Sequence, residues 1–369
     1  MIAETAPTSQ AVSDSTRAMT ALVHYALAPG SVELRAVPVP TVESGQVLLK
    51  VRAVGTCGSD LHQYHGTQSW RVNCPVTLGH EFCGEVAALG DGVNGWVVGD
   101  RVACETAAYI CGVCPLCRTG RYNLCPARLG FGYGVDGAAA EYIVVRPALL
   151  HRISANVSFE EAALTEPCCV AANAVLEQSA PRPGDTAIVI GPGPVGLLCT
   201  RLLATTHPSH LVVVGLSHDT VRLDLALRYG ATRVVVADHD DVVSVVHGIG
   251  DGLGADLVID AAGVSGTLRT ALDLVRPAGQ ITKVGWGRAP LDVSLDPLVQ
   301  KAATLRGSFS HTWATWERVL RLLADGTLDV RPLISSFPLE QWQEAFARME
   351  RGEIAKAVLI PSSSTIDSR

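Results

Sequence analysis

The sequence predicts an α/β protein in which a doubly wound parallel sheet of six strands is inserted into a mostly β domain. Three observations predict it. From about residue 185, six short apolar runs follow one another: TAIVI (186–190), LVVVG (211–215), RVVVA (233–237), DLVID (256–260), QITKV (280–284) and LRGSF (305–309). Helical stretches separate several of them, notably PVGLLCTRLLATT and DTVRLDLALRYGA, the second stopped at Gly230. Strands alternating with helices imply parallel βαβ units covered on both faces. Ahead of this block, residues from about 20 to 175 are rich in Gly, Pro and alternating runs such as QVLLKVRAV and AEYIVVR, the pattern of strands joined by loops. Behind it, the helical TWERVLRLLADG and the strand-like AKAVLIP close the chain.

These shifts divide the chain. Residues 1–19 are polar and Ser/Thr-rich and read as a disordered tail; 20–178 are expected to form the mostly β domain, with a cysteine-rich lobe at 104–128. Residues 179–310 are expected to form the inserted βα domain, entered through the loop SAPRPGD, and 311–369 to return to the β domain and a C-terminal tail. At 369 residues, with 48% apolar residues, 18% charged residues and a net charge of −7, the composition is that of an ordinary globular protein. The mild acidity gives no footing for nucleic acid or an anionic membrane. The most apolar stretch, TAIVIGPGPVGLLCTRLLA, is broken by glycines, prolines and Arg201 and does not read as a membrane span. The first twenty residues lack the apolar centre of a signal peptide. A cytoplasmic location is expected, where eleven cysteines serve as thiols and ligands more readily than as disulfides.

GPGPVG, residues 191–196, follows a strand and opens a helix. In that position G-x-G-x-x-G is a dinucleotide signature: Gly191 makes the turn, Gly193 admits the pyrophosphate, and Gly196 lets the helix pack on the strand. Pro194 and Val195 complete the loop, and the helix N-terminus offers unpaired N–H groups to the phosphates. The second strand ends at Gly215, Leu216, Ser217 and His218, where a ribose-binding carboxylate is expected, and Asp219 comes late. Without that acid a 2′-phosphate is not repelled, and His218 or Arg222 are candidates to hold it. NAD and NADP therefore both stay open, with a lean to NAD.

The stretch CGVCPLCRTGRYNLC places Cys111, Cys114, Cys117 and Cys125 within fifteen residues. Disulfides conflict with a reducing compartment. The x2 spacings and the Cys-Pro ending resemble bacterial iron–sulfur ligation, but the long last gap and the lack of a second cysteine-rich segment count against it. Four thiolates closing on one ion describe a structural zinc that ties down a loop. A second metal set appears in GTCGSDLHQYHG and LGHEFCGEV, where Cys57, His80 and Glu81 provide the mixed soft and hard ligands of a catalytic zinc.

The order Cys-Gly-Ser-Asp-x-His, Gly-His-Glu-x-x-Gly, Gly-Asp-Arg-Val (99–102), the four-cysteine lobe, Glu-Pro (166–167) and G-x-G-x-x-G resembles the zinc-dependent medium-chain dehydrogenases. The polyol branch with sorbitol and threonine dehydrogenases is most similar, over about residues 20–361. The resemblance implies a Rossmann sheet inserted in a GroES-like catalytic domain, two Zn2+ ions per chain, NAD or NADP, and a dimer or tetramer. It implies hydride transfer from a secondary alcohol (a polyol, cyclitol or amino alcohol) to the nicotinamide, giving the ketone. Cys57 and His80 would bind the catalytic zinc, with Glu81 as a third ligand and Glu166 reaching it directly or through water. Ser59 would take the substrate proton and His62 pass it to solvent, while Asp60 would orient His80. Gly263 and Gly285, at strand ends, are candidates for the nicotinamide side, and His65 reads as an exposed loop residue.

Two departures matter. Cys168 and Cys169 stand where relatives often carry an aliphatic pair, and read as small buried residues. Ser310 and His311 stand where sorbitol dehydrogenases place an arginine facing a polyol hydroxyl, which puts a simple polyol in doubt. Tyr64, His311 and Trp313 are then expected to shape a pocket for a ring-shaped or amino-bearing alcohol. A non-catalytic dinucleotide-binding or sensing protein of the same fold is the rival reading; it would show lost metal ligands or a lost relay, and here none is lost.

Overall fold

The apolar run Thr186–Ile190 is buried at all five positions and lies inside a wholly parallel sheet of six strands. That burial explains its unbroken hydrophobicity, because a parallel strand is covered on both faces. The computed structural model describes residues 17–362. Across the sheet the strands run Arg233–Val236, His210–Gly215, Thr186–Ile190, Ala255–Asp260, Val275–Lys283 and Thr304–Gly307. In chain order this is 3-2-1-4-5-6, so the order reverses beside Thr186–Ile190, where open sheets of this kind bind their ligand.

Two of these strands differ from the sequence expectation. The fifth starts at Val275, not 280, pairing Val275 with Ala255 before a register shift brings Gln280 opposite Leu257. Pro277 and the positive φ of Ala278 make that irregular start hard to read as strand. The sixth ends at Gly307, because Ser308 and Phe309 turn toward the other domain. There the Asn173 amide donates to Ser308 Oγ at 3.1 Å and the Asn123 amide to the Phe309 carbonyl at 2.9 Å.

The remaining strands form a seven-stranded sheet and a three-stranded sheet. In the larger one, Val47–Gly55 lies between Glu81–Leu89 and Lys356–Ile360. The last strand of the chain thus closes a sheet begun three hundred residues earlier, with Val358 opposite Gly55. In the smaller sheet, Ala18–His24 pairs with Val32–Pro38 from Ala18 onward, so ordered structure begins inside what the composition marks as tail. The rest of that expected tail, residues 1–16, lies outside the described residues, as do 363–369.

One core joins the domains. Leu164, Cys168 and Cys169 pack with Leu197, Leu198 and Leu202 of the nucleotide domain and with Trp316, all essentially without solvent access. Burial pushes both thiols well above the usual cysteine range, so these cysteines behave as small apolar residues. Among the described residues no helix is long and apolar enough to cross a membrane.

A buried polar chain ties the cysteine lobe to this core. Tyr122 donates to Glu105 at 2.7 Å, His151 lies 3.1 Å from Glu105 and 2.7 Å from Glu317, and its ring stacks on Trp316 at 5.3 Å. Removing Glu105 leaves the Tyr122 hydroxyl and a His151 nitrogen in the interior without their partner. Glu105→Ala is expected to cost about 3 kcal/mol of stability, read as a lower urea midpoint.

Candidate metal and cofactor site

The site is built around a helix that starts on a cysteine. Cys57 is the N-cap of Gly58–Tyr64, and Asp60 Oδ2 accepts the Cys57 backbone N–H at 2.8 Å. Asp60 therefore fixes Cys57. Its other oxygen lies 3.9 Å from His80 Nδ1, beyond hydrogen-bond range, so the expected hold on His80 is proximity rather than a bond. The adjoining strand begins at Glu81, placing His80 and Glu81 against Cys57. One ligand atom from each of Cys57, His80 and Glu81 lies within 4.8 Å of the others. Glu166 is outside that group.

Glu81 has a counter-ion that the sequence reading missed. Lys356 Nζ lies 2.7 and 2.6 Å from its two carboxylate oxygens, and both side chains are about 1% exposed. Burial would depress the lysine, but Glu81, Cys57 and Glu166 outweigh it and hold Lys356 above the ordinary range. Gly55 makes the pair possible, since a Cβ there would sit 2.2 Å from Glu81 Oε2. A lysine inside the otherwise apolar AKAVLIP was the available signal, because lysine is almost never fully buried unless paired.

Glu166 belongs to a second arrangement. His311 Nε2 lies 3.1 Å from Glu166 Oε1, and the Trp316 indole donates to His311 Nδ1 at 2.6 Å. Because an indole N–H only donates, Nδ1 accepts and Nε2 carries the hydrogen given to Glu166. Burial raises the Glu166 carboxyl, but His311 and His80 reverse this and hold it below the usual range. Around His80, burial is likewise outweighed, by Cys57, Asp60 and Glu166, and its pKa stands well above the ordinary value. Buried polar atoms remain unsatisfied at the centre, among them His80 Nδ1, Asp60 Oδ1 and Ser59 Oγ. A cluster of anionic groups around one imidazole, with orphaned polar atoms, fits a divalent cation.

Ser59 and His62 lie on the same helix, three residues apart. His62 is exposed, its Nδ1 2.8 Å from Thr67 Oγ1, and burial, then the nearby His65, lower its pKa. His65 caps the helix C-terminus and meets Glu350. The expected pocket needs correction. Tyr64 packs edge-on against Trp342 and Phe346 in a hydrophobic cluster. Trp313 is 53% exposed beside His151, and His311 holds Glu166. The aromatic groups spanning the domains are instead Trp70, edge-on to His62 at 6.2 Å, Trp286, 5.6 Å from Trp70, and Phe309, 5.8 Å from Trp286.

The four-cysteine lobe closes on itself. Cys111, Cys114, Cys117 and Cys125 bring their sulfurs within 4.8 Å of one another, and all are free thiols. Cys111 Sγ lies 3.6 Å from Cys125 Sγ and 4.0 Å from Cys117 Sγ. A tetrahedral site with Zn–S bonds of about 2.3 Å has sulfur–sulfur edges of roughly 3.8 Å. The backbone N–H groups of Cys114, Cys117 and Cys111 each donate to a cysteine sulfur at 3.4 Å. Such bonds, led by that of Cys114, lower the Cys111 pKa to about 6.

Gly191 has φ +95° and faces the Ala262 backbone; a Cβ on Gly196 would sit 1.9 Å from the Gly191 carbonyl; Gly193 has open space within 4 Å. Pro194 opens the helix Pro194–Ala204, with Val195 in its first turn. Gly285 is a glycine for another reason, since a Cβ would strike the Ala262 carbonyl at 1.9 Å, while Gly263 sits near the Trp286 carbonyl. Ser217 bonds Asp238, His218 is exposed, and Arg222 is held by Asp219 and by two carbonyls.

Such a pairing of metal-ligand clusters with a Rossmann sheet defines a class, and the comparisons place the chain in it. Residues 43–155 match the alcohol dehydrogenase GroES-like domain and 194–325 the zinc-binding dehydrogenase domain. The chain belongs to the zinc-dependent medium-chain dehydrogenases, oxidoreductases that move hydride between an alcohol and NAD(P). It is 37% identical over 345 residues to a sorbitol dehydrogenase of Halalkalibacterium halodurans, covering 93% of this chain and 99% of that one. Among solved structures it resembles a zinc-binding dehydrogenase of Sinorhizobium meliloti bound to NADP (TM-score 0.86, 28% identity, 94% of this chain and 100% of that one). An alcohol dehydrogenase of Escherichia coli CFT073 complexed with NADH is similar too (TM-score 0.85, 28% identity, 93% and 99%).

Lys356→Ala leaves Glu81 buried without its counter-ion, where burial raises its carboxyl further. It is expected to destabilise the protein by about 3–5 kcal/mol, measured by chemical denaturation of the metal-free protein beside the wild type.

Proposed function

We propose that the chain oxidises a cyclic secondary alcohol, a cyclitol or an amino cyclitol, to its ketone with NAD. The observation that carries the reading is the convergence of Cys57, His80 and Glu81 beside Ser59, whose buried Oγ has no protein partner. Cys57, His80 and Glu81 would hold the catalytic zinc, and Glu166, positioned by His311, would reach toward it. When bound, zinc supplies a Lewis acid that polarises the alcohol oxygen. Ser59 Oγ is placed to accept the hydroxyl proton, and His62, on the same helix and open to solvent, to carry it out. Burial lowers the His62 pKa, which keeps the ring able to accept a proton near neutrality. The cysteine lobe would hold a second, structural zinc.

Ring-shaped substrates are supported by the rim. Ser310 leaves no guanidinium at that position for an extended polyol, whereas Trp70, Trp286 and Phe309 provide aromatic surface next to the relay histidine. The apolar face of a cyclitol suits such surface, and an amino group within about 6 Å of an indole gains a cation–π attraction. A homo-oligomer is supported by the edge strand Thr304–Gly307, exposed at every position, with Leu291, Leu295 and Val299 exposed nearby. Eleven free thiols support a cytoplasmic setting.

Enzyme purified without chelator is expected to carry two zinc ions per chain, Cys111→Ser and Cys57→Ser each losing one by elemental analysis. The assignment fails if Cys57→Ser keeps both. His62→Asn is expected to lower kcat about a hundredfold near pH 7 with its metal content intact. Trp286→Ala is expected to raise KM for cyclic alcohols more than for acyclic ones in a paired panel; an equal rise for both would exclude the ring reading.

A further inference from the structure

The second strand of the nucleotide domain ends at Gly215 without the carboxylate that NAD-binding folds use there. The nearest acid in sequence does not fill the place. Asp219 is 6% exposed, its Oδ2 accepts the Leu216 N–H at 3.1 Å, and its Oδ1 meets Arg222 at 3.3 Å. Arg222 in turn donates to the carbonyls of Met349 at 2.7 Å and Ile354 at 3.4 Å. The guanidinium that the sequence offers to a 2′-phosphate is thus committed to the fold.

We propose that Asp238, from the neighbouring strand, takes over the missing role and selects NAD against NADP. The strand Arg233–Val236 runs beside His210–Gly215, with Val236 opposite Gly215, so residues just past both ends share one rim. Asp238 Oδ1 accepts the Ser217 backbone N–H at 2.9 Å, and Oδ2 accepts the Ser217 hydroxyl. An N–H and a hydroxyl at this strand end are the donors that a 2′-phosphate needs. Here an internal carboxylate already occupies them. The close approach of Gly215 to Pro192 of the glycine loop, where a Cβ would come to 2.9 Å, keeps this rim against the dinucleotide path.

A 2′-hydroxyl can donate to Asp238. A 2′-phosphate has no proton to give, must displace the carboxylate from Ser217, and would then lie beside a like charge. The opposing groups are His218, exposed and 4.0 Å from Asp219, and His239, adjacent in sequence to Asp238. Neither donates to Ser217 in place of the carboxylate.

The inference rests on the reading of 191–196 as a dinucleotide loop, and its test needs no alcohol. Binding of NADH and NADPH to the full-length enzyme is measured by energy transfer from protein tryptophan to the reduced nicotinamide. Wild type is expected to bind NADH about tenfold or more tightly than NADPH, and Asp238→Asn to shift that ratio about tenfold toward NADPH. Ser217→Ala, which removes the shared hydroxyl, is expected to leave NADPH weak. A wild-type preference for NADPH, or a ratio unmoved by Asp238→Asn, overturns the proposal. Failure of both cofactors to bind would instead overturn the dinucleotide reading, and binding without turnover on any alcohol would count only against the substrate assignment.

Discussion

Glu81 is removed from water, which raises its carboxyl above the usual range, and the ammonium that opposes this comes from the opposite end of the chain. Lys356 reaches both of its oxygens from the strand that closes the seven-stranded sheet against Val47–Gly55. The metal cluster cannot therefore be assembled from the first hundred residues, although Cys57, His80 and Glu81 all lie there. Lys356–Ile360 thus supplies the counter-charge for a carboxylate whose burial is otherwise uncompensated. The nucleotide domain lies between the two halves of this ion pair in sequence, which are 275 positions apart.

A lysine at that place also changes what Glu81 can do. A carboxylate paired with an ammonium is a weaker donor to a cation than a free one. Glu166 is held differently: its partner His311 is oriented by a tryptophan that cannot do anything but donate. One candidate ligand is thus held by a charge and the other by a neutral hydrogen-bond chain. The same Trp316 carries His151 on its face, and His151 reaches Tyr122 of the cysteine lobe through Glu105. The lobe, distant from the chemistry in the sequence, meets the residue that orients Glu166 through one indole.

What was legible in the sequence follows from how local each signal is. The central parallel strands were visible because buried strands are continuous apolar runs, whereas the edge strand Thr304–Gly307 is exposed throughout and its bounds were read less well. The glycine loop and the four-cysteine lobe were visible because their geometry is set by residues a few positions apart, and Cys57, His80 and Glu81 because each stands in a short motif. Lys356, Trp316 and Asp238 were not, since each acts on a residue that only tertiary structure brings near. Tyr64 and Trp313 misled for the same reason in reverse: an aromatic residue near a motif in sequence packs on a hydrophobic cluster, as Tyr64 does, or lies out in solvent, as Trp313 does, as readily as it lines a cleft. Trp70 and Trp286 meet edge to face from different domains, and neither sits in a motif.

The groups proposed for the reaction and those proposed for selectivity are drawn from different parts of the fold. The former are each held by a buried partner: Cys57 by Asp60, Glu81 by Lys356, Glu166 by His311. Those positions are over-determined by buried partners, so they tolerate little change. The groups proposed for selectivity sit on loops just beyond strand ends, Ser217 with Asp238 after one strand and Trp286 after Gly285 at another. Exposed loops can change there without disturbing the core beneath. A family that keeps one metal chemistry while its substrates and cofactors diverge needs this separation. In this chain the separation appears in the burial itself: Glu81 and Lys356 are sealed, whereas Trp286 is half exposed.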